Sequence, residues 1–371
     1  MLGRVTKYRV NNDAPSEVFD ADSPEDRADR HLPYPQRVAK RLDLKVADCG
    51  REDENELAFD LVGVDASIAN ALRRILLAEV ATVAIEHVYM FMNSSIIHDE
   101  ILAHRLGLIP IMADPHQFEF MPKPKPGEDE EATEFNTCVF KLEIKNPVNP
   151  ADMPNPMPKG ASYAAGPRRT LNIFRRGGKW CSHGNQESRF MEQGGLMPVH
   201  DDILVAKLRP GQEISCEMHC RKGVGKDHAK FSPVATASYR LLPVVSLKEE
   251  IVGEEAEELV VKCPLNVFDI EDLGDGDKRA KVARPRDCTM CRECIREPGW
   301  SDKVSLSRTA DHFIFDIESV GMLSPKASFC PLQSSAQLLK DSIQVLRQKC
   351  DTLISEVEAY EIGVDFDEAM P

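Results

Sequence analysis

The residues best suited to chemistry are Cys288-Thr-Met-Cys291-Arg-Glu-Cys294. Three thiolates at C-x2-C-x2-C spacing can fold round one iron–sulfur cube, because so short a loop turns each sulfur inward. The bacterial ferredoxin run continues x3-C-P, and here Pro298 stands where the fourth Cys belongs. Cys263, followed by Pro264, is the remote candidate for that ligand. Zinc held by three cysteines and a histidine competes with this assignment, although no His lies close by in sequence. A loop of free thiols is the third reading. All eleven cysteines are read as thiols or metal ligands, because the count is odd and Met1-Leu2-Gly3-Arg4 opens no apolar leader.

Weaker constellations lie elsewhere. Cys216-x3-Cys220 with His219 alternates along an expected strand, so one of these cysteines should face the core. Gly223-Val-Gly225-Lys226 lacks the first Gly of a phosphate loop, and Asp227 replaces its Ser or Thr, so it predicts a turn bearing a lysine. His98, Asp99, Glu100 and His104 share a helix without sharing a face. His200-Asp201-Asp202 reads as the turn entering a strand. No nucleophile–base pair or paired carboxylates emerge from the spacing. Two basic stretches remain: Arg168, Arg169, Arg175, Arg176 and Lys179 around Phe174 and Trp180, and Lys278, Arg279, Lys281, Arg284 and Arg286. The first could meet RNA or an acidic protein, and the second resembles a nuclear-import signal. Each is also what a solvated face looks like.

Charge argues against nucleic acid as the main ligand. The chain carries 61 acidic and 46 basic residues, a net charge of −15 that repels phosphate. Direct sequence-specific nucleic-acid binding is not expected. No apolar run approaches the roughly 20 residues that span a bilayer, so no membrane role is expected and the protein reads as soluble and intracellular. A length of 371 residues predicts two domains.

Those residues must be positioned by elements whose periods are legible. Residues 1 to about 40 have few apolar anchors and read as a tail. Alternation predicts strands at Leu42–Val46, Leu57–Leu61 and Ala84–Asn93. Ile68, Leu72, Ile75, Leu76 and Val80 fall on one helical face, with Arg73 and Arg74 off it. A second helix spans Ile97–Leu106, with Gly107 as its cap and Pro110 beyond it. Prolines at 122, 124 and 126, the acidic run 128–131 and five prolines in 146–158 mark exposed excursions. Between and after them, short strands are predicted at 138–144, 203–208, 214–219, 238–243 and 259–263. Phe313, Phe315 and Ile317 alternate in a later strand. A helix then runs from 335 to 357, with Leu339, Ile343, Leu346, Cys350, Leu353 and Val357 spaced 4, 3, 4, 3, 4. Such an a/d seam, about 33 Å long, asks for a partner helix; packing within its own chain is the alternative.

The blocks Asn70-Ala-Leu-Arg-Arg-Ile-Leu-Leu77, Asn93-Ser-Ser95 and Asp99-Glu-Ile-Leu-Ala-His-Arg-Leu-Gly-Leu-Ile-Pro110 resemble the RNA polymerase α-subunit family. Pro198–Leu204, Leu208–Ile214 and Gly223–Pro243 are similar to its branch of large α-like subunits shared by eukaryotic RNA polymerases I and III. The likeness spans roughly residues 30–360. It implies an α+β fold: a split dimerisation domain (41–110 and 305–360) of antiparallel sheet and long helices, interrupted by a strand-rich inserted domain (111–304). Tails at 1–40 and 361–371 lie outside. It also implies a non-catalytic assembly subunit in the nucleus and nucleolus, serving rRNA, tRNA and small-RNA transcription.

Partners implied are the small α-like subunit, the second-largest subunit and the other polymerase I and III subunits. Ile68, Leu72, Ile75, Leu76, Leu339, Ile343, Leu346, Cys350 and Leu353 would form the dimer seam. Arg73 and Arg74 would face a partner, Arg74 engaging the second-largest subunit. Residues 111–130 contain no Cys, unlike the zinc loop of the polymerase II paralogue. Archaeal relatives carry ferredoxin-type cysteines in the inserted domain, and Cys288, Cys291 and Cys294, with Cys263, look like a remnant. The expectation is no cofactor, with an iron–sulfur cluster or zinc there as the alternative. Competing functions are a polymerase II α-like subunit, an iron–sulfur redox protein and a nucleic-acid module built on Arg168–Trp180.

Overall fold

The computed structural model describes residues 19–20, 32–46, 55–122, 132–146, 169–172, 178–182, 184–190, 195–200, 202–272, 274, 278–322 and 333–362. The described helices are α1 (Tyr34–Arg41), α2 (Ala66–Ala78), α3 (Asp99–Gly107), α4 (Gln186–Phe190), α5 (Glu254–Lys262), α6 (Trp300–Lys303) and α7 (Gln333–Ile362). Contacts divide the chain into two compact units. One comprises Met1–Asp48, Ala58–Asn70 and Tyr239–Phe315; the other comprises Cys49–Leu57, Ala71–Ser238 and Asp316–Pro371.

The first unit is built on a sheet of order β1 (Phe19–Asp20), β15 (Val304–Ser319), β3 (Glu56–Val62) and β2 (Asp43–Val46), with β12 (Val234–Leu247) also on β15. Alternation works here as expected, because Phe59 and Phe315 point inward and stack at 4.9 Å. Tyr239 sets its ring against Phe313 at 5.4 Å. A hairpin of β13 (Phe268–Asp272) and β14 (Lys278–Val282) with α5 and Trp300 closes a second small core around Ile251, Leu259 and Phe268.

The second unit holds the sheet β4 (Ala81–Asn93), β11 (Glu213–Val224), β6 (Thr137–Lys145) and β8 (Gly178–Cys181), all antiparallel. Its inner face buries Phe140, Leu142, Ile214 and Met218 against Leu102 and Leu106 of α3. Two short antiparallel pairs, β5 (Ile111–Met112) with β9 (Met197–Pro198) and β7 (Arg169–Asn172) with β10 (Leu204–Leu208), accompany it.

Three elements differ from the sequence reading. Residues 259–262, expected as part of a strand, form the end of α5, and Cys263 is its C-cap. Gly253 enters with φ of 65°, Glu254, Glu255 and Glu257 occupy the first turn, and Ala256 and Leu259 bury one face while Val261 is 84% exposed. Acidic residues at a helix N-terminus complement its dipole, and the inward positions repeat every three to four residues rather than two. Tyr34–Arg41, inside the expected tail, forms α1 with Pro35 in its first turn, where a missing N–H costs nothing. Gly107 is the last residue of α3 rather than its cap. Leu108 caps instead, its N–H donating to the His104 carbonyl at 3.2 Å. A Cβ at 107 would meet the Ile85 carbonyl at 3.4 Å, an ordinary contact, so the packing on β4 does not demand a glycine there. The proline-rich and acidic excursions at 123–131 and 147–158 lie outside the described residues, as do Asp201 and the C-terminal tail from 363.

Candidate functional site

Helix α7 carries exposed Ile343, Leu353, Ile354, Val357 and Tyr360. Its first half packs on its own unit. Leu338 is fully buried and Leu339 nearly so, the Ser335 hydroxyl donates to the Asn55 carbonyl at 2.7 Å, and Ser342 donates to Leu339 at 2.7 Å. The Lys349 Nζ reaches both carboxylate oxygens of Glu79 at 2.9 Å, and His116 Nε2 lies 3.5 Å from Asp341. Between the end of α2 and α7 runs an open groove of about 610 Å³, lined among others by Val80, Phe120, Lys222, Val224 and Val345. Lys222 donates to the Phe118 carbonyl at 2.9 Å and stands over the Phe120 ring at 4.8 Å; burial pulls its pKa down.

Beyond Lys349 the helix leaves its support. Every described side chain from Cys350 to Tyr360 is exposed except the half-buried Ala359. Leu353, Ile354, Val357 and Tyr360 are 59%, 55%, 59% and 84% exposed, and Ile343 is 47% exposed. Water thus meets a stripe of apolar groups that would each gain about 1.5–3 kcal/mol on full burial.

The residues expected at a subunit interface therefore separate into two groups. Ile343, Cys350 and Leu353 are exposed and Leu346 is half-buried, whereas Leu339 is committed to the chain's own packing. On α2, Leu72, Ile75 and Leu76 are buried within the chain and Ile68 is half-buried. Arg74 is exposed, and Arg73 is half-buried and bonded. Tyr360 and Ile354 were missed by the sequence reading. Tyr360 follows Val357 by three and so continues the seam, while Ile354 flanks it.

The cysteines do come together. Cys263, Cys288, Cys291 and Cys294 line one cup with Val245, Phe268 and Leu306. The cup is apolar and its cavity is about 10 Å³, close to the room one water needs. Burial pushes the Cys294 thiol up to about 12, and it raises the Cys288 thiol as well. Four sulfurs are the right donors for zinc or an iron–sulfur centre. Among the described residues no three His, Cys, Asp or Glu side chains converge on a single metal ion. Cys263 and Cys294 are instead buried members of the small core.

The loop is anchored just upstream. Arg286 clasps Asp60 with two hydrogen bonds of 2.7 and 2.6 Å, and His312 Nε2 lies 3.1 Å from the same carboxylate. The Arg286 hydrogen bonds, assisted by His312, hold the Asp60 carboxyl below the usual range despite burial.

The remaining motifs are structural. Cys216 and Cys220 both face the core, four residues apart on one strand face, and burial pushes the Cys216 thiol up to about 11. His219 points the other way, 2.9 Å from Glu217 and edge-on to Tyr89. Lys226 stands in a turn, its N–H on the Ala78 carbonyl at 2.7 Å. Lys278, Arg279, Lys281 and Arg284 pair with Glu257, Glu250 or Glu271, Glu271 and Asp269. Trp180 turns its ring toward Phe190 and packs on the core. Arg168, Phe174, Arg175 and Arg176 lie outside the described residues, and nothing is described of the Arg169 side chain.

A family model, the RNA polymerase Rpb3/Rpb11 dimerisation domain, matches residues 58–350. The chain is 47% identical over 310 residues to the DNA-directed RNA polymerases I and III subunit RPAC1 of Homo sapiens, covering 84% of each. It is 41% identical over 295 residues to the Saccharomyces cerevisiae subunit of the same description, covering 80% of this chain and 84% of that one. Against the DNA-directed RNA polymerase II subunit rpb3 of Dictyostelium discoideum identity is 30% over 280 residues, covering 73% and 84%.

Proposed function

From the premise that this chain belongs to the RNA polymerase Rpb3/Rpb11 dimerisation-domain family, we propose that it is the large α-like assembly subunit of RNA polymerases I and III. Identity to polymerase I and III subunits exceeds that to polymerase II, IV and V subunits, which favours this branch over the polymerase II alternative. The subunit pairs with the small α-like subunit and assembles into both nuclear enzymes, polymerase I in the nucleolus. It contributes no catalytic group of its own. The reading assigns dimerisation to residues 41–110 and 305–360 and makes 111–304 an inserted domain.

The observation that carries it is the stripe Ile343, Leu353, Val357 and Tyr360 standing in water on a helix whose root is firmly packed. An exposed apolar seam of this kind on a 30-residue helix marks a surface for a second chain to cover. Two such chains then form the platform on which the catalytic subunits dock. Exposed Arg74 is the residue assigned to the second-largest subunit. Buried Leu72, Ile75 and Leu76 and half-buried Ile68 serve the seam by setting α2 from behind.

The test is Ile343→Asp with Leu346→Asp. The variant should fold, because its sites are exposed and half-buried, and should no longer co-purify with the small α-like subunit. Undiminished recovery of that subunit by the folded variant would overturn the assignment. The four-cysteine cup acts as apolar packing in this reading, so protein purified anaerobically should be colourless with iron and zinc far below one per chain. Stoichiometric metal would refute that part alone.

A further inference from the structure

The exposed half of α7 has a charge signature that specifies its occupant. Residues 350–362 contain Asp351, Glu356, Glu358 and Glu361 and neither Lys nor Arg, whereas 340–349 contain Lys340, Arg347 and Lys349 with one acid, Asp341. Asp351, Glu356 and Glu358 are all exposed, beside the apolar stripe of Leu353, Ile354, Val357 and Tyr360. With Leu353 and Val357 on the seam, Glu356 occupies a flanking position, where side chains reach across to a partner helix and set its identity and orientation.

A second copy of this chain does not answer that signature. Side by side in parallel, acidic flank would meet acidic flank. In antiparallel register, the acidic half would need the basic half of its mate. There Leu338 and Leu339 are already buried in their own unit and Lys349 is held by Glu79. Asp351 already lies 3.9 Å from Arg347 of its own helix, so Glu356 and Glu358 are the acids left to meet cations on another protein.

Resting on the assignment above, we propose that the distal seam takes a helix of the small α-like subunit whose apolar stripe is bordered by Lys or Arg. Complementary flanks of this kind chiefly raise the rate of encounter and reject wrong partners.

Association of the full chain with the purified small α-like subunit would be timed at about 50 and about 500 mM salt, which shortens screening several-fold. Glu356→Lys with Glu358→Lys should slow association about tenfold at low salt and flatten its salt dependence, with the Gln pair intermediate. Leu353→Asp should abolish binding. If Leu353→Asp abolishes binding but the charge variants associate at the wild-type rate or faster, the basic-flank inference is overturned and the subunit assignment stands. If Leu353→Asp binds normally, both fail. Light scattering that shows the isolated chain as a dimer broken by Leu353→Asp would make a second copy the occupant and overturn the inference. All substituted positions are exposed, and circular dichroism checks that each variant is folded.

Discussion

At the scale of single residues, Asp60 shows how a buried charge becomes a structural pin. Its carboxylate is only 10% exposed and accepts two hydrogen bonds from Arg286. Its folded pKa lies below the unfolded value, so its stabilisation is complete above about pH 4 and is lost as pH falls through the folded pKa. Asp60→Asn should therefore cost about 1–3 kcal/mol near neutrality and flatten the acid limb of stability against pH, measured by urea unfolding. An unchanged acid limb would place the pH dependence elsewhere. Thiols obey the same logic in the opposite direction. A thiol raised to about 12 is protonated at pH 8 and a poor nucleophile, so iodoacetamide should label exposed Cys291 and Cys350 first. Buried Cys263 and Cys294 should react only after unfolding; mass spectrometry against time separates the two classes.

At the scale of elements, α7 is one helix in two environments, buried at its root and exposed beyond Lys349. Leu338→Ala should destabilise the chain by about 2–5 kcal/mol, because it empties a fully buried site. Ending the chain after Lys349 should leave the thermal midpoint within about 2 °C of the full chain, since little beyond it is buried, yet should remove recovery of the small α-like subunit. A large fall in midpoint would mean that the distal half supports its own unit. Helix α5 teaches the converse lesson. Leu259, Val261 and Cys263 alternate in sequence, but Val261 points outward and the preceding glutamates start a helix, so a three-residue pattern of period two misled.

At the scale of the molecule, the −15 balance is not relieved by a free basic face among the described residues of β14 and the following loop. Lys278, Arg279, Lys281, Arg284 and Arg286 are each bridged to a carboxylate of the chain. The isolated chain should show no salt-sensitive RNA binding at physiological ionic strength by fluorescence anisotropy. Micromolar affinity that weakens steeply with salt would revive a direct role in nucleic-acid contact.

Family membership and the seam were legible in the chain itself. Block identity over residues 70–110 and 198–243 needs no coordinates, and the spacing of 4, 3, 4, 3, 4 in α7 depends only on helix geometry. The periods of Phe59 and Phe315 likewise marked their strands, because alternation is local. Three things required the folded molecule: which half of the seam is already used, that Cys263 meets a loop 25 residues away in one apolar cup, and that the basic stretch is neutralised at home. Each is a matter of what lies across space rather than along the chain. Burial and pairing are set by long-range packing, and sequence spacing carries no record of them.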